Sequence, residues 1–146
     1  MISDQIKAVG KLTITVTGDD GQVKDQRIVD NLVVTAGKNF IAARMTGTAA
    51  NVMSHMAIGT GTAAAAAGDT TLATESARVS LTSSTTTNAQ TLYVGTFPAG
   101  TGTGAITEAG LLNAGVGGTL LCRTVFAAVN KGANDAMTIN WTVTIQ

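Results

Sequence analysis

Two glycine-rich stretches are the first places where this sequence could do chemistry: "AIGTGTAAAAAGDTTLATESARV" (Ala57–Val79) and "GTFPAGTGTGAITEAG" (Gly95–Gly110). A phosphate-binding P-loop needs glycine, four residues, then Gly-Lys-Ser/Thr, because the lysine and the hydroxyl contact the phosphates and the metal. Neither stretch contains a lysine. Gly100, Gly102 and Ala105 formally match a dinucleotide fingerprint, which must leave a strand and open a helix whose amide end receives the pyrophosphate. The residues at and beyond Ala105 read "AITEAGLLNA", which suits a strand. Gly59, Gly61 and the glycines from Gly95 to Gly104 therefore read as loops at the ends of a sandwich, with no nucleotide and no other cofactor.

The remaining reactive residues are few. His55 is the only histidine and Cys122 the only cysteine, so a metal site lacks partners and an intrachain disulfide is impossible. A Cys122 and His55 nucleophilic pair needs an oriented base and an oxyanion hole that nothing in the sequence marks. Asp19 and Asp20 lie in "GDDG", a hairpin turn in which Asp and Gly tolerate the left-handed backbone, so they read as turn residues and not as calcium ligands. Glu75, Arg78, Glu108 and Arg123 can pair with one another, but the simpler expectation is solvated charges at strand ends. Asn140-Trp141-Thr142 spells a glycosylation triplet that matters only on a secreted chain. No catalytic, cofactor-binding or metal-binding residue is assigned, and the chain is expected to be no enzyme.

Composition narrows the classes of partner. Lys plus Arg and Asp plus Glu are both 9, so no net charge draws the chain to nucleic acid or an anionic membrane. The start "MISDQIKAVGKLTITV" has neither the basic end nor the apolar block of a secretory signal, and no window holds about 20 consecutive apolar residues. A soluble chain in a reducing cytoplasm is the expectation. Charged residues make up 12%, about half the usual share. So sparse a charge favours a surface covered by neighbours in a permanent assembly, although a Thr-rich β domain solubilised by hydroxyls fits as well.

Period two runs through nearly the whole chain. Leu12, Ile14 and Val16 alternate with Thr13, Thr15 and Thr17, and at the C-terminus Met137, Ile139, Trp141, Val143 and Ile145 alternate with Thr138, Asn140, Thr142 and Thr144. Each pattern predicts a strand with one face in the core, and Trp141 falls on that face. Further strands are expected at "NVMSHMAIG", "SARVSLTSST", "NAQTLYVGTF", "AITEAGLLNA" and "TLLCRTVFAAV". One helix is predicted in "TAGKNFIAARMTG", capped by Thr35, burying Phe40, Ile41 and Met45 and ending at Gly47. A single helical turn is expected in "DTTLATES", with Asp69 or Thr70 as cap and Leu72 inward. The sum is an all-β fold, an antiparallel β-sandwich or jelly roll of about eight strands with one or two short helices. A length of 146 residues allows a single domain, 1–146, with residues 1–11 expected as an extended N-terminal arm.

The stretches "HMAIGTGTAAAAAGDTTLATESARV", "EAGLLNAGVGGTLLCRTVF" and "INWTVTI" resemble small virion structural proteins of tailed bacteriophages. They are most similar to the cement, or decoration, proteins that clamp the outer surface of the capsids of short-tailed phages. The resemblance covers about Asp30 to Gln146. It implies a jelly-roll fold, self-association into dimers or trimers, and binding across joints between major capsid protein subunits on the outside of the virion. It assigns no contact residues, and no nucleic acid, membrane or small-molecule substrate is among the implied partners. A tail-fibre or baseplate module that helps recognise a host surface is the rival expectation.

Overall fold

The computed structural model describes residues 4–48 and 51–146. Among the described residues nine strands and one helix occur in the order β1 (Ala8–Thr17), β2 (Val23–Val33), α1 (Thr35–Arg44), β3 (His55–Gly59), β4 (Glu75–Ser80), β5 (Ser83–Thr87), β6 (Gln90–Phe97), β7 (Gly104–Leu112), β8 (Leu120–Lys131) and β9 (Ala136–Ile145). All pairings are antiparallel, in the order β4-β3-β7-β8-β2-β1-β9-β6-β5. The fold is all-β and sandwich-like, as the alternation predicts.

One long strand makes the corner. β2 pairs with β1 from Val23 to Asn31, and then Leu32 and Val33 pair with Arg123 and Cys122 of β8. The sheet thereby curls into two layers. Its two end strands are consecutive in sequence, joined only by Leu81 and Thr82, and Thr82 N–H donates to the Val94 carbonyl of β6. β4 consequently lies against β6.

The alternation decides what fills the interior. Leu12, Ile14 and Val16 of β1 face Met137, Ile139 and Trp141 of β9 from within one buried cluster, which also takes Met56, Ile58, Phe97, Ile106 and Leu111. The Trp141 ring is fully buried, and its Nε1–H donates to Asn31 Oδ1 at 3.2 Å. A smaller apolar cluster of Val34, Ala57, Leu72, Leu112 and Leu120 is separate from this core.

Several local expectations change. Residues 1–3 of the expected arm lie outside the described residues, and Ala8–Lys11 are not arm but the start of β1, paired with Ile145–Thr142 of β9. "SARVSLTSST" is two strands, β4 and β5, because the chain turns at Leu81 from one layer to the other. Gly59, Gly95 and Gly104 sit in strands and not in loops. Thr35 does not cap α1: Val34 holds the cap position without a side-chain bond, and Thr35 is the first helical residue, its N–H donating to the Ala67 carbonyl. Phe40 and Ile41 do pack on the core, whereas Met45 falls past the last helical residue and is 84% exposed. Gly37 is the buried helical residue; a Cβ there would stand 2.0 Å from the Leu121 carbonyl oxygen, so its lack of a side chain sets how closely α1 approaches β8.

Candidate functional site

The glycine-rich stretch after β3 does bind an anion, and the anion is the protein's own. Residues 60–74 cross the outer face of the β3-β7-β8 layer, where Glu108 is fully buried. Its carboxylate accepts backbone N–H bonds from Gly61 (2.7 Å), Ala73 (2.8 Å) and Thr74 (2.7 Å), and from Arg123 Nε at 3.1 Å. Converging backbone amides of this kind form the concavity that elsewhere holds phosphate. Here the space is taken, because a Cβ at Gly61 would meet Glu108 Oε2 at 2.2 Å.

Arg123 completes the clamp. It is 2% exposed, and it donates through Nη1 to Asp69 at 2.8 Å and through Nη2 to the Ala63 carbonyl at 2.9 Å. The expectation of solvated strand-end charges therefore fails for Glu108 and Arg123, since residues 60–74 fold over them and replace their water. Glu75 and Arg78 do pair at the surface, at 2.7 Å, and Arg78 also donates to the Ala114 and Gly117 carbonyls. The expected helical turn in "DTTLATES" is absent for the same reason: Ala73 and Thr74 give their amides to Glu108 and cannot close a turn. Leu72 does turn inward, into the second apolar cluster.

These contacts set the titration of both carboxylates. Burial pushes Glu108 up, but the amides of Thr74, Ala73 and Gly61, with Arg123, outweigh it and leave its pKa below the ordinary value. Asp69 is lowered first by the Ala66 amide, against burial, with Arg123 adding to the effect. Both are anions holding backbone in place, the opposite of a carboxyl tuned as a general acid.

Cys122 and His55 do not meet. They lie on strands separated by β7, and Cys122 belongs to the core while neighbouring Met56, not His55, points inward beside it. Burial pushes the Cys122 thiol well above its usual range, against a bond with the Leu111 backbone. His55 stands between two hydroxyls, Ser54 Oγ at 2.8 Å from Nδ1 and Ser80 Oγ at 3.3 Å from Nε2. Such a pair lacks the carboxylate that orients a catalytic imidazole. Asp19 and Asp20 form the β1–β2 turn as expected, with Asp20 Oδ1 accepting from Gln22 N–H and Gly21 at φ 80°. Gly100 and Gly102 take positive φ in the β6–β7 loop, and Ala105 lies in strand β7 where a dinucleotide fold would have a helix. Among the described residues no group of three or more His, Cys, Asp or Glu could hold a metal, and no helix is long and apolar enough to cross a membrane.

A second candidate surface is the outer face of the other layer, β5-β6-β9-β1-β2. It carries the residues out of phase with the core: Thr13 and Thr15, Thr138, Asn140, Thr142 and Thr144, Leu92 and Val94, Thr85 and Thr87, Gln26 and Ile28. Between the strand ends its charges are Lys11 and Asp30, which stand opposite one another in the register. A shallow concavity of about 580 Å³ runs over it, lined by Lys11, Asp30, Gln90, Asn140, Thr142 and Thr144 among others. The sequence alternation predicts this face for β1 and β9; it could not show that five strands bring their outward sides onto one surface.

No protein-family model, curated protein or solved structure matches the chain. The class defined by its own geometry is an all-β, sandwich-like protein built from one curled antiparallel sheet.

Proposed function

We propose that the chain is a non-enzymatic structural protein of a tailed-phage virion, a cement protein. It binds the outer surface of the major capsid shell, associates with further copies of itself, and holds the shell against the pressure of packaged DNA. The observation that carries this reading is the broad outer face of β5-β6-β9-β1-β2, with Lys11 and Asp30 as its only charges between the strand ends. A face with so few charges leaves few ions unpaired when a protein surface covers it. The sequence resemblance supplies the shell as the partner.

Strength comes from number in this reading. Each contact can be weak, because copies linked to one another and to neighbouring shell subunits detach only by simultaneous release. A curled sheet whose end strands are joined by a two-residue turn, with a buried carboxylate fixing the connection of residues 60–74, is a suitable rigid body for transmitting such load.

The test is to separate heads from tails of the particle that carries this chain and to quantify it in each. A copy number comparable with that of the major capsid protein, on heads, supports a cement. A few copies confined to tails would replace it with the tail-fibre or baseplate module.

A further inference from the structure

β1 outruns its neighbour at one end. Its pairing with β2 begins at Gly10, opposite Asn31, because β2 leaves for the other layer at Leu32. Ala8 and Val9 are in register with β9 alone, opposite Ile145 and Thr144. Just before them, Lys7 and Gln146 exchange both backbone bonds, each at 2.7 Å. In an antiparallel ladder the next residue turns its N–H and C=O the other way. Ala8 therefore presents its backbone to the side that β2 has vacated, where no strand residue stands opposite it.

That side is a groove. It has a volume of about 700 Å³ and runs between the start of β1 and α1, with Ile6, Val9, Ile41, Met45 and Ile145 on its walls. Ile6 is 83% and Met45 84% exposed. The charged residues lining it are Lys7 and Lys38, both cationic. An open strand edge offers main-chain bonds, apolar walls accept alternate side chains, and the two ammonium groups favour carboxylates over lysines.

We propose that this groove binds an extended segment of another protein, apolar on one side and bearing carboxylates, which adds as a strand to the free edge of β1 beside α1. The proposal does not depend on the virion reading: the edge, the walls and the lysines define the ligand wherever the chain is located.

Two synthetic probes test it, a peptide alternating valine with glutamate and one alternating valine with lysine, each titrated into the isotopically labelled full chain. The Val-Glu peptide is expected to shift the amides of Ala8 and Val9 and of α1 from Ile41 onward, and the Val-Lys peptide to shift none of them. Lys7→Glu combined with Lys38→Glu should reverse that preference. Ala8→Pro should abolish binding while leaving the β9 ladder intact, since the Ala8 N–H points away from β9; should that variant misfold, the surface charge reversal decides alone. Equal response to both peptides, or shifts confined to other surfaces, would overturn the proposal. So would a chain that sediments as a dimer which Ala8→Pro dissociates, because a second copy would then occupy the groove.

Discussion

Glu108 and Arg123, fully buried and 15 residues apart in sequence, hold each other at 3.1 Å and between them bind five groups of residues 60–74: three amides, the Ala63 carbonyl and the Asp69 carboxylate. Buried charge of this kind stabilises only when every lone pair and proton is satisfied. Here the stretch that looks like a phosphate loop satisfies it, and the second apolar cluster closes beneath the same cover.

Glu108→Gln should therefore cost about 3 to 5 kcal/mol, because it leaves the buried Arg123 beside a neutral amide and turns an NH2 toward two N–H donors, either Gly61 with Thr74 or Ala73 with Arg123 Nε. Hydrogen exchange is the direct readout. The amides of Gly61, Ala73 and Thr74 should lose protection while those of β1 and β9 keep most of theirs. Unchanged protection at Gly61 and Thr74 would show that the carboxylate is not the anchor.

Acid should loosen the same region. Glu108 and Asp69 have folded-state pKa values below their ordinary ones, so the unfolded chain binds protons first as pH falls. Their stabilisation is complete above the ordinary carboxylate pKa of about 4 and is lost as pH drops through the lower folded values. Urea midpoints measured across that range should decline in acid, and in Glu108→Gln the decline should be shallower. Parallel acid limbs for the two proteins would contradict this.

Gly37→Ala should displace α1. The new Cβ would stand 2.0 Å from a backbone oxygen of Leu121, which cannot swing aside as a side chain can. Overpacking of this kind costs at least about 1 to 3 kcal/mol. A crystal structure or helix amide shifts would show the helix moved off β8, and Gly47→Ala, at φ 66° in open space, should strain only its own turn.

Trp141→Ala should damage folding before it damages any association. The ring is fully buried among the core side chains, and such truncations cost about 3 to 5 kcal/mol of the roughly 5 to 15 that hold a domain together. Thr142→Ala, on the outer face, should stay within about 0.5 kcal/mol. Thermal melts compare the two. A near-native melt for Trp141→Ala would mean that the last strand faces the other way.

Legibility in the sequence differs by element. β1 and β9 could be read almost residue by residue, because strict alternation fixes which side chains face inward and a slip of one residue would reverse all of them. The Glu108 clamp could not, since it joins positions 61, 69, 73, 108 and 123, which only the sheet brings together. A signal was present in "AITEAGLL": one carboxylate among small and apolar residues in mid-strand must be buried or placed at an edge. Met45 misled because its helical spacing is right while the helix stops one residue earlier. The groove beside α1 was invisible because it depends on where β2 leaves β1.

Electron cryo-microscopy of the intact particle tests the cement reading most directly, because it shows both where the chain sits and which face it turns to its neighbour. The cement reading predicts density for this fold repeated over the outside of the head, with the β5-β6-β9-β1-β2 face, and Thr142 near its middle, against the major capsid protein. Density for this fold only on the tail, or on the head with that face turned to solvent, would contradict it.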